Sequence, residues 1–269
     1  MLKGYSHNYG RYHYSLVTMK EQKMKYYIII ITVSIILSSC NAQSNCEKSK
    51  LMTQQGYEIQ QKGNNKEAIM KFEEAIGLCP DNQNAYYNFG VSNMNIDDFQ
   101  SAVDKFSLAI QLDSTDYQSF HNRGICQREL EMHDKATIDY NKAIQLKKDD
   151  WRLYISRAVN YYLTQNYELA INDYTKGIEL NPTEPEYVIH RAFCKEEMKD
   201  YEGAVKDYSI AIELNPNDSQ NFHDRGNAYF ELDKSVEACE DWKKSKELGQ
   251  KELESKIEKN RVGKGDSHP

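Results

Sequence analysis

"WRLYISRAVNYYLTQNYELAINDYTKGIELNPTE", residues 151–184, contains two stretches in which small and apolar residues recur three and four apart. That spacing puts one stripe on each of two successive helices. Asn181-Pro182 closes the stretch, as suits a helix terminus, because proline cannot continue a helix and restricts the residue before it. Outward from this stretch, the same pattern returns at a spacing of 34. Six consecutive units follow: 49–82, 83–116, 117–150, 151–184, 185–218 and 219–252.

Three columns are filled without exception. The twentieth position is Ala68, Ala102, Ala136, Ala170, Ala204 and Ala238. The twenty-fourth is Phe72, Phe106, Tyr140, Tyr174, Tyr208 and Trp242, and the thirtieth is Leu78, Leu112, Leu146, Leu180, Leu214 and Leu248. The eighth position is Gly56, Gly90, Gly124 and Gly226, with Ala158 and Ala192 in the other two units. A small residue at the eighth position lets the first helix approach the second. Alanine at the twentieth is the matching dent, and the aromatic residue fills the space between repeats. Short connections such as "QKGNN" (61–65) and "KDYEG" (199–203) suit antiparallel helix pairs. The pattern resembles the tetratricopeptide repeat family. The resemblance implies an all-α, right-handed α-solenoid of six helix pairs, each burying its face on its neighbour. After Leu248, "GQKELESKIEKN" carries Leu253 and Ile257 four apart and reads as a capping helix, with the end of the cap and a disordered tail over 253–269.

One column departs from the family pattern, which commonly has Leu at the seventh position. Repeats three to six carry Arg123, Arg157, Arg191 and Arg225 there, and Asp139, Asp173, Asp207 and Asp241 at the twenty-third. Repeats one and two have neither: Gln55 and Phe89 stand with Lys71 and Lys105. Arginine and aspartate occurring only together points to a structural ion pair between the two helices, repeated as a ladder, with bidentate geometry available. The alternative is an arginine row that binds an anionic ligand.

In this family the first helices line a concave groove that takes a partner segment. The family's groove-facing positions map here to Tyr87, Val91 and Met94 in repeat two, and to Arg152, Ile155, Val159, Tyr162 and Leu163 in repeat four. Ile189 and Phe193 follow in repeat five, and His223, Asn227 and Phe230 in repeat six. Arg128, Glu129, Glu196, Glu197 and Glu231 flank this apolar centre, which suits a partner with apolar anchors and some basic character. Several of these residues have a simpler reading as packing against the next repeat. The carboxylate-clamp pattern for chaperone tails is missing, since repeat one has Thr53 and Tyr57 at the fifth and ninth positions.

The N-terminus carries a separate message. "KYYIIIITVSIILSSCNAQS", residues 25–44, holds an unbroken apolar run from Tyr26 to Leu37, too short for the roughly 20 residues of a spanning helix and of signal-peptide size. Leu37-Ser38-Ser39-Cys40 resembles a bacterial lipobox, which implies lipidation of Cys40 as the mature N-terminus. On this reading residues 1–23 are an over-extended start or disordered, with translation from Met19 or Met24. Residues 24–39 are the signal peptide and 40–48 a short tether. An ordinary cleaved signal or a retained short anchor are the alternatives. The expected location is the bacterial envelope, on the periplasm-facing side of the outer membrane; a secreted or periplasmic soluble protein is the runner-up.

Cys46 precedes the first helix of repeat one and Cys79 ends the second, so an antiparallel pair brings them together and a disulfide is open to them. Cys126, Cys194 and Cys239 read as small buried residues. Without residues 1–39, which hold five basic residues and one acidic, the net charge goes from −7 to −11. That gives no electrostatic reason to bind nucleic acid or an anionic membrane surface. No metal, cofactor or small-molecule substrate is expected. His121 and His223 lie three repeats apart, and His190 has no cysteine at metal spacing. No phosphate loop or nucleophile elbow is present, so an enzyme is not expected. The sequence reads as a lipid-anchored scaffold that binds a protein or peptide segment. The alternatives are an assembly factor that uses its convex face or termini, and a regulatory subunit of an enzyme.

Overall fold

The computed structural model describes residues 6–249. The expected capping helix, with Leu253 and Ile257, the tail to residue 269 and the side chain of Cys40 lie outside the described residues. Twelve α-helices and no strand occur among the described residues. The chain divides into two compact units, Met1–Ser92 and Asn93–Pro269.

In the first unit, α1 (Ser6–Gln61) packs on α2 (Asn65–Leu78), and α3 (Gln83–Met94) begins the second repeat. The sequence reading places a signal peptide at 24–39 and a short tether at 40–48; in the uncleaved chain one helix runs from residue 6 into the first repeat. No glycine or proline stands between Gly10 and Gly56 to stop it. Among the described residues no helix is long and apolar enough to cross a membrane. Cys46 and Cys79 are joined by a disulfide with Cα atoms 4.9 Å apart, tying α1 to the end of α2. Ser49 Oγ donates to the Ala75 carbonyl (2.6 Å), and Asn82 Nδ2 donates to Ser49 Oγ and Thr53 Oγ1 (2.7 and 3.0 Å). Gln60 Nε2 donates to the Asn88 carbonyl and Ser92 Oγ, at 3.0 and 2.8 Å, joining the first helices of repeats one and two.

The second unit stacks helices in chain order. These are α4 (Phe99–Leu112), α5 (Tyr117–Glu129), α6 (His133–Leu146), α7 (Trp151–Leu163), α8 (Tyr167–Leu180), α9 (Pro185–Glu197), α10 (Tyr201–Leu214), α11 (Ser219–Glu231) and α12 (Ser235–Glu247). Each packs on the next, as a tetratricopeptide solenoid requires. Asp116, Asp150 and Asp218 cap α5, α7 and α11, their carboxylates accepting from backbone N–H groups of the first turn. The tight turn inside each repeat needs a left-handed residue at its fifteenth position. Repeat one meets this with Gly63 at φ 83°, whereas Asp97, Glu131, Gln165, Lys199 and Asp233 adopt φ near 60° without that freedom.

The invariant columns form the core. All six alanines of the twentieth position are fully buried, and the aromatics of the twenty-fourth are at most 2% exposed. Each aromatic side chain withdrawn from water contributes about 1.5–3 kcal/mol. The aromatic lies against the small eighth-position residue of its own repeat. A Cβ added at Gly124 would sit 2.8 Å from the Tyr140 ring, and one at Gly226 would sit 2.6 Å from Trp242. Tyr174 also clusters with Cys194 and Tyr208 with Ala228, both at the tenth position of the following repeat, so one ring serves two interfaces. Cys126 and Cys194 are buried, their thiols pushed up to about 12 by burial, while Cys239 is only half-buried.

The arginine column is an ion-pair ladder. In each of repeats three to six, Nε and Nη2 donate to the two carboxylate oxygens of the aspartate sixteen residues on, at 2.7–2.9 Å. Nη1 reaches the second helix of the preceding repeat. Arg123, Arg191 and Arg225 donate to Ser107, Thr175 and Ser209 at 2.9–3.0 Å, and Arg157 donates to Asn141. One guanidinium therefore fastens three helices. Each of its three nitrogens already donates to a protein acceptor, which leaves the row poorly placed for an external anion.

Candidate partner-binding site

Between α7 and α9, on the face made by the first helices of repeats four and five, lies a cavity of about 350 Å³. Val159, Tyr162 and Leu163 line it from α7, Tyr174 from α8, and His190 and Phe193 from α9. The spacing of Val159, Tyr162 and Leu163 puts all three on one side of α7. Tyr162 is 37% exposed and Leu163 53%, so the cavity opens through large apolar groups that no other part of the described chain covers. Its floor is a run of rings: Tyr174–His190 at 5.8 Å, His190–Phe193 at 6.5 Å and Phe193–Tyr208 at 6.1 Å between centroids. Burial holds the His190 imidazole below its ordinary pKa, against the opposing pull of Glu186, and its Nδ1 is buried without a hydrogen-bond partner. A neutral ring suits an apolar wall.

Carboxylates rim one side. Tyr208 donates its hydroxyl to Glu196 Oε2 at 2.9 Å, and Tyr167, whose ring lies 5.8 Å from that of Tyr162, donates to Glu197 Oε2 at 3.5 Å. Burial raises the Glu196 carboxyl to about 7, and the neighbouring Asp224, Glu197 and Glu231 push the same way against the Tyr208 hydrogen bond. On α11, Asp224 accepts from Gln220 (2.8 Å) and lies 3.1 Å from His223 Nδ1.

Of the residues expected in the groove, the structure gathers Val159, Tyr162, Leu163 and Phe193 around this cavity. Ile155 is a correction: it is 8% exposed and packs into the α7–α8 seam, because Gly177 leaves a gap that an added Cβ would close to 2.5 Å. Ile189 packs beside the Ala192–Tyr208 cluster. Arg152 folds back on Asp150 through a bidentate pair at 2.7 and 2.8 Å, and Arg128 pairs with Glu129 at 2.6 Å. Phe230 is 42% exposed and leans on Trp242, 5.8 Å between centroids. Tyr87 and Val91 are half-buried in the first unit, and Met94 is half-buried at the start of the second. The sequence reading misses Tyr174 and His190. Tyr174 stands in a core column, and His190 follows Ile189 by a single residue, which hides its shared face with Phe193 three positions on. His121 is bound to Ser156 at 2.8 Å and drawn down to about 4, mainly by burial. Among the described residues no group of three His, Cys, Asp or Glu is placed to hold a metal ion.

Residues 117–150 and 152–184 match the family model for the tetratricopeptide repeat. No curated protein matches the chain. Among solved structures the chain is similar to YrrB, described as a TPR protein with an unusual peptide-binding site. The likeness has 18% identity and a TM-score of 0.63, over 70% of this chain and 97% of that one. It is also similar to PilF of Pseudomonas aeruginosa (16% identity, TM-score 0.63, 82% of this chain and 100% of that one). MamA of Desulfovibrio magneticus RS-1 gives 21% identity and a TM-score of 0.60, over 63% and 96%. Two units, residues 117–150 and 152–184, therefore match the tetratricopeptide repeat itself, and the other four units repeat the same sequence columns.

Proposed function

We propose that the protein is a non-enzymatic interaction scaffold, lipid-anchored through Cys40 in a bacterial envelope, that binds a partner segment on the first-helix face of repeats four and five. The observation that carries this reading is the open apolar cavity of Val159, Tyr162, Leu163 and Phe193. Exposed apolar side chains around a recess are what an apolar anchor residue needs, and such anchors dominate peptide recognition. YrrB, of the same fold, is described as having a peptide-binding site, which favours a similar use of this scaffold. The lipobox-like Leu37–Cys40 supports the anchor, and the Cys46–Cys79 disulfide fits an oxidising compartment.

The test is quantitative affinity capture from detergent-solubilised envelope, comparing wild type with a Tyr162→Ala/Phe193→Ala variant of unchanged melting temperature. One partner should be lost selectively. An unchanged set of partners would move the function to the opposite face or the termini. Metabolic labelling with an alkyne fatty acid, present in wild type and absent in Cys40→Ala, tests the anchor separately.

A further inference from the structure

Around the cavity, charge is balanced on one side and left over on the other. The arginines and the lysine of α9 and α11 are all engaged. Arg191 is held bidentately by Asp207, Lys195 lies 2.7 Å from the same carboxylate, and Arg225 is held by Asp241. Toward repeat three, Arg128 is neutralised by Glu129. Toward repeat six, Glu196, Glu197 and Glu231 make no ion pair among the described residues, and Asp224 has only His223. These carboxylates crowd one another closely enough to disfavour ionisation of Glu196. They lie one ring back from the cavity's lining: Glu196 is held by Tyr208, whose ring meets Phe193, and Glu197 by Tyr167, whose ring meets Tyr162. The carboxylates do not converge as metal ligands would.

We infer that the partner segment carries one aromatic or branched apolar residue, seated in the Val159–Phe193 cavity, and a lysine or arginine within about four residues of it, seated on Glu196 and Glu197. A cavity of about 350 Å³ is at the small end for organic ligands and takes one side chain with room to adjust. A cation on the rim removes the repulsion among the four carboxylates while its stem lies on the half-buried Tyr167, so anchor and charge are read together. The uncompensated carboxylates favour this occupant over a purely apolar segment or an acidic one. This inference rests on the cavity being the binding site.

The test selects a random dodecapeptide library on the detergent-solubilised full chain and measures the winning peptide by fluorescence anisotropy. Enriched peptides should pair an apolar anchor with a nearby Lys or Arg. Glu196→Gln/Glu197→Gln should weaken binding about tenfold or more, as should replacing the peptide's basic residue by Met, and the two losses should not add. Glutamine keeps the acceptor for Tyr208, so the fold is retained, and an unchanged melting curve checks it. Peptides without basic enrichment, or full binding to the glutamine variant alongside loss with Phe193→Ala, would overturn the cation seat and leave the cavity standing. Binding indifferent to Phe193→Ala would overturn both. Self-association of the chain abolished by Phe193→Ala would assign the cavity to a second copy and also overturn the inference.

Discussion

Replacing Arg157 by leucine separates a structural ladder from a ligand row. In the native fold its Nε and Nη2 each lie 2.7 Å from a carboxylate oxygen of Asp173, and Nη1 binds Asn141. The guanidinium also lies over Tyr154 and Tyr161, 6.0 and 5.8 Å from the ring centroids. The side chains are 18% and 9% exposed, so the pair is largely, not wholly, removed from water. Taking away one partner of a buried pair costs about 3–5 kcal/mol, chiefly because the remaining charge is stranded. Residual exposure of the arginine puts the expected loss near the lower end, about 3 kcal/mol. With a urea m-value of about 2–3 kcal/mol/M, the midpoint in far-UV circular dichroism should fall by roughly 1–1.5 M. Arg157→Lys keeps the charge but not the fork, and should lose about half as much. Arg157→Leu/Asp173→Leu strands no charge and should recover to within about 1 kcal/mol of wild type. A loss below about 1 kcal/mol in the single variant, or a double variant no better than the single, would refute the ladder. Peptide binding should survive in the folded variants. Its selective loss with an intact fold would return the row to an anionic ligand.

Three other perturbations have defined outcomes. The Cys46→Ser/Cys79→Ser variant opens a link between residues 33 apart, with a chain-entropy cost of about 3–4 kcal/mol, so hydrogen exchange should accelerate between residues 46 and 80; unchanged protection there would contradict it. Gln165→Gly relieves a left-handed residue at φ 60° and should raise the urea midpoint by an amount worth up to about 1 kcal/mol, whereas a fall would show that the turn carries no strain. The Glu196 carboxyl, raised from 4.5 to about 7, binds its proton more tightly in the fold than in the unfolded chain. Its contribution is therefore full below about pH 4.5 and fades as pH rises through 7, so Glu196→Gln should flatten the stability profile between pH 5 and 8 by about 1–2 kcal/mol after allowance for solvent screening. Parallel profiles would count against it.

The period of 34 carried the fold because each column answers one packing demand, repeated six times over. Arg and Asp were legible because they appear and vanish together within a repeat. Their third partner crosses to the previous repeat and changes identity, as Ser107, Asn141, Thr175 and Ser209, so a search within units passes over it. The signal was nonetheless present: the same column holds Glu73 before the repeat with Phe89, and Lys243 in the last repeat. Ile155 misled because family position alone does not register Gly177, where the other five repeats have Ala75, Ala109, Ala143, Ala211 and Ser245. The rim depended on which cations are already engaged, a property of three-dimensional pairing that sequence order does not express.

Because every arginine of the ladder clasps an aspartate of its own repeat and a small polar residue of the one before, all seams from repeat two to repeat six share one clasp. Excising residues 151–184 would bring Arg191 to Asn141, a pairing that Arg157 already makes. The array is thus written in interchangeable cassettes. Gene duplication or loss of a whole 34-residue cassette can change its length while keeping the arginine clasp at the splice, whereas a cut at any other period severs it.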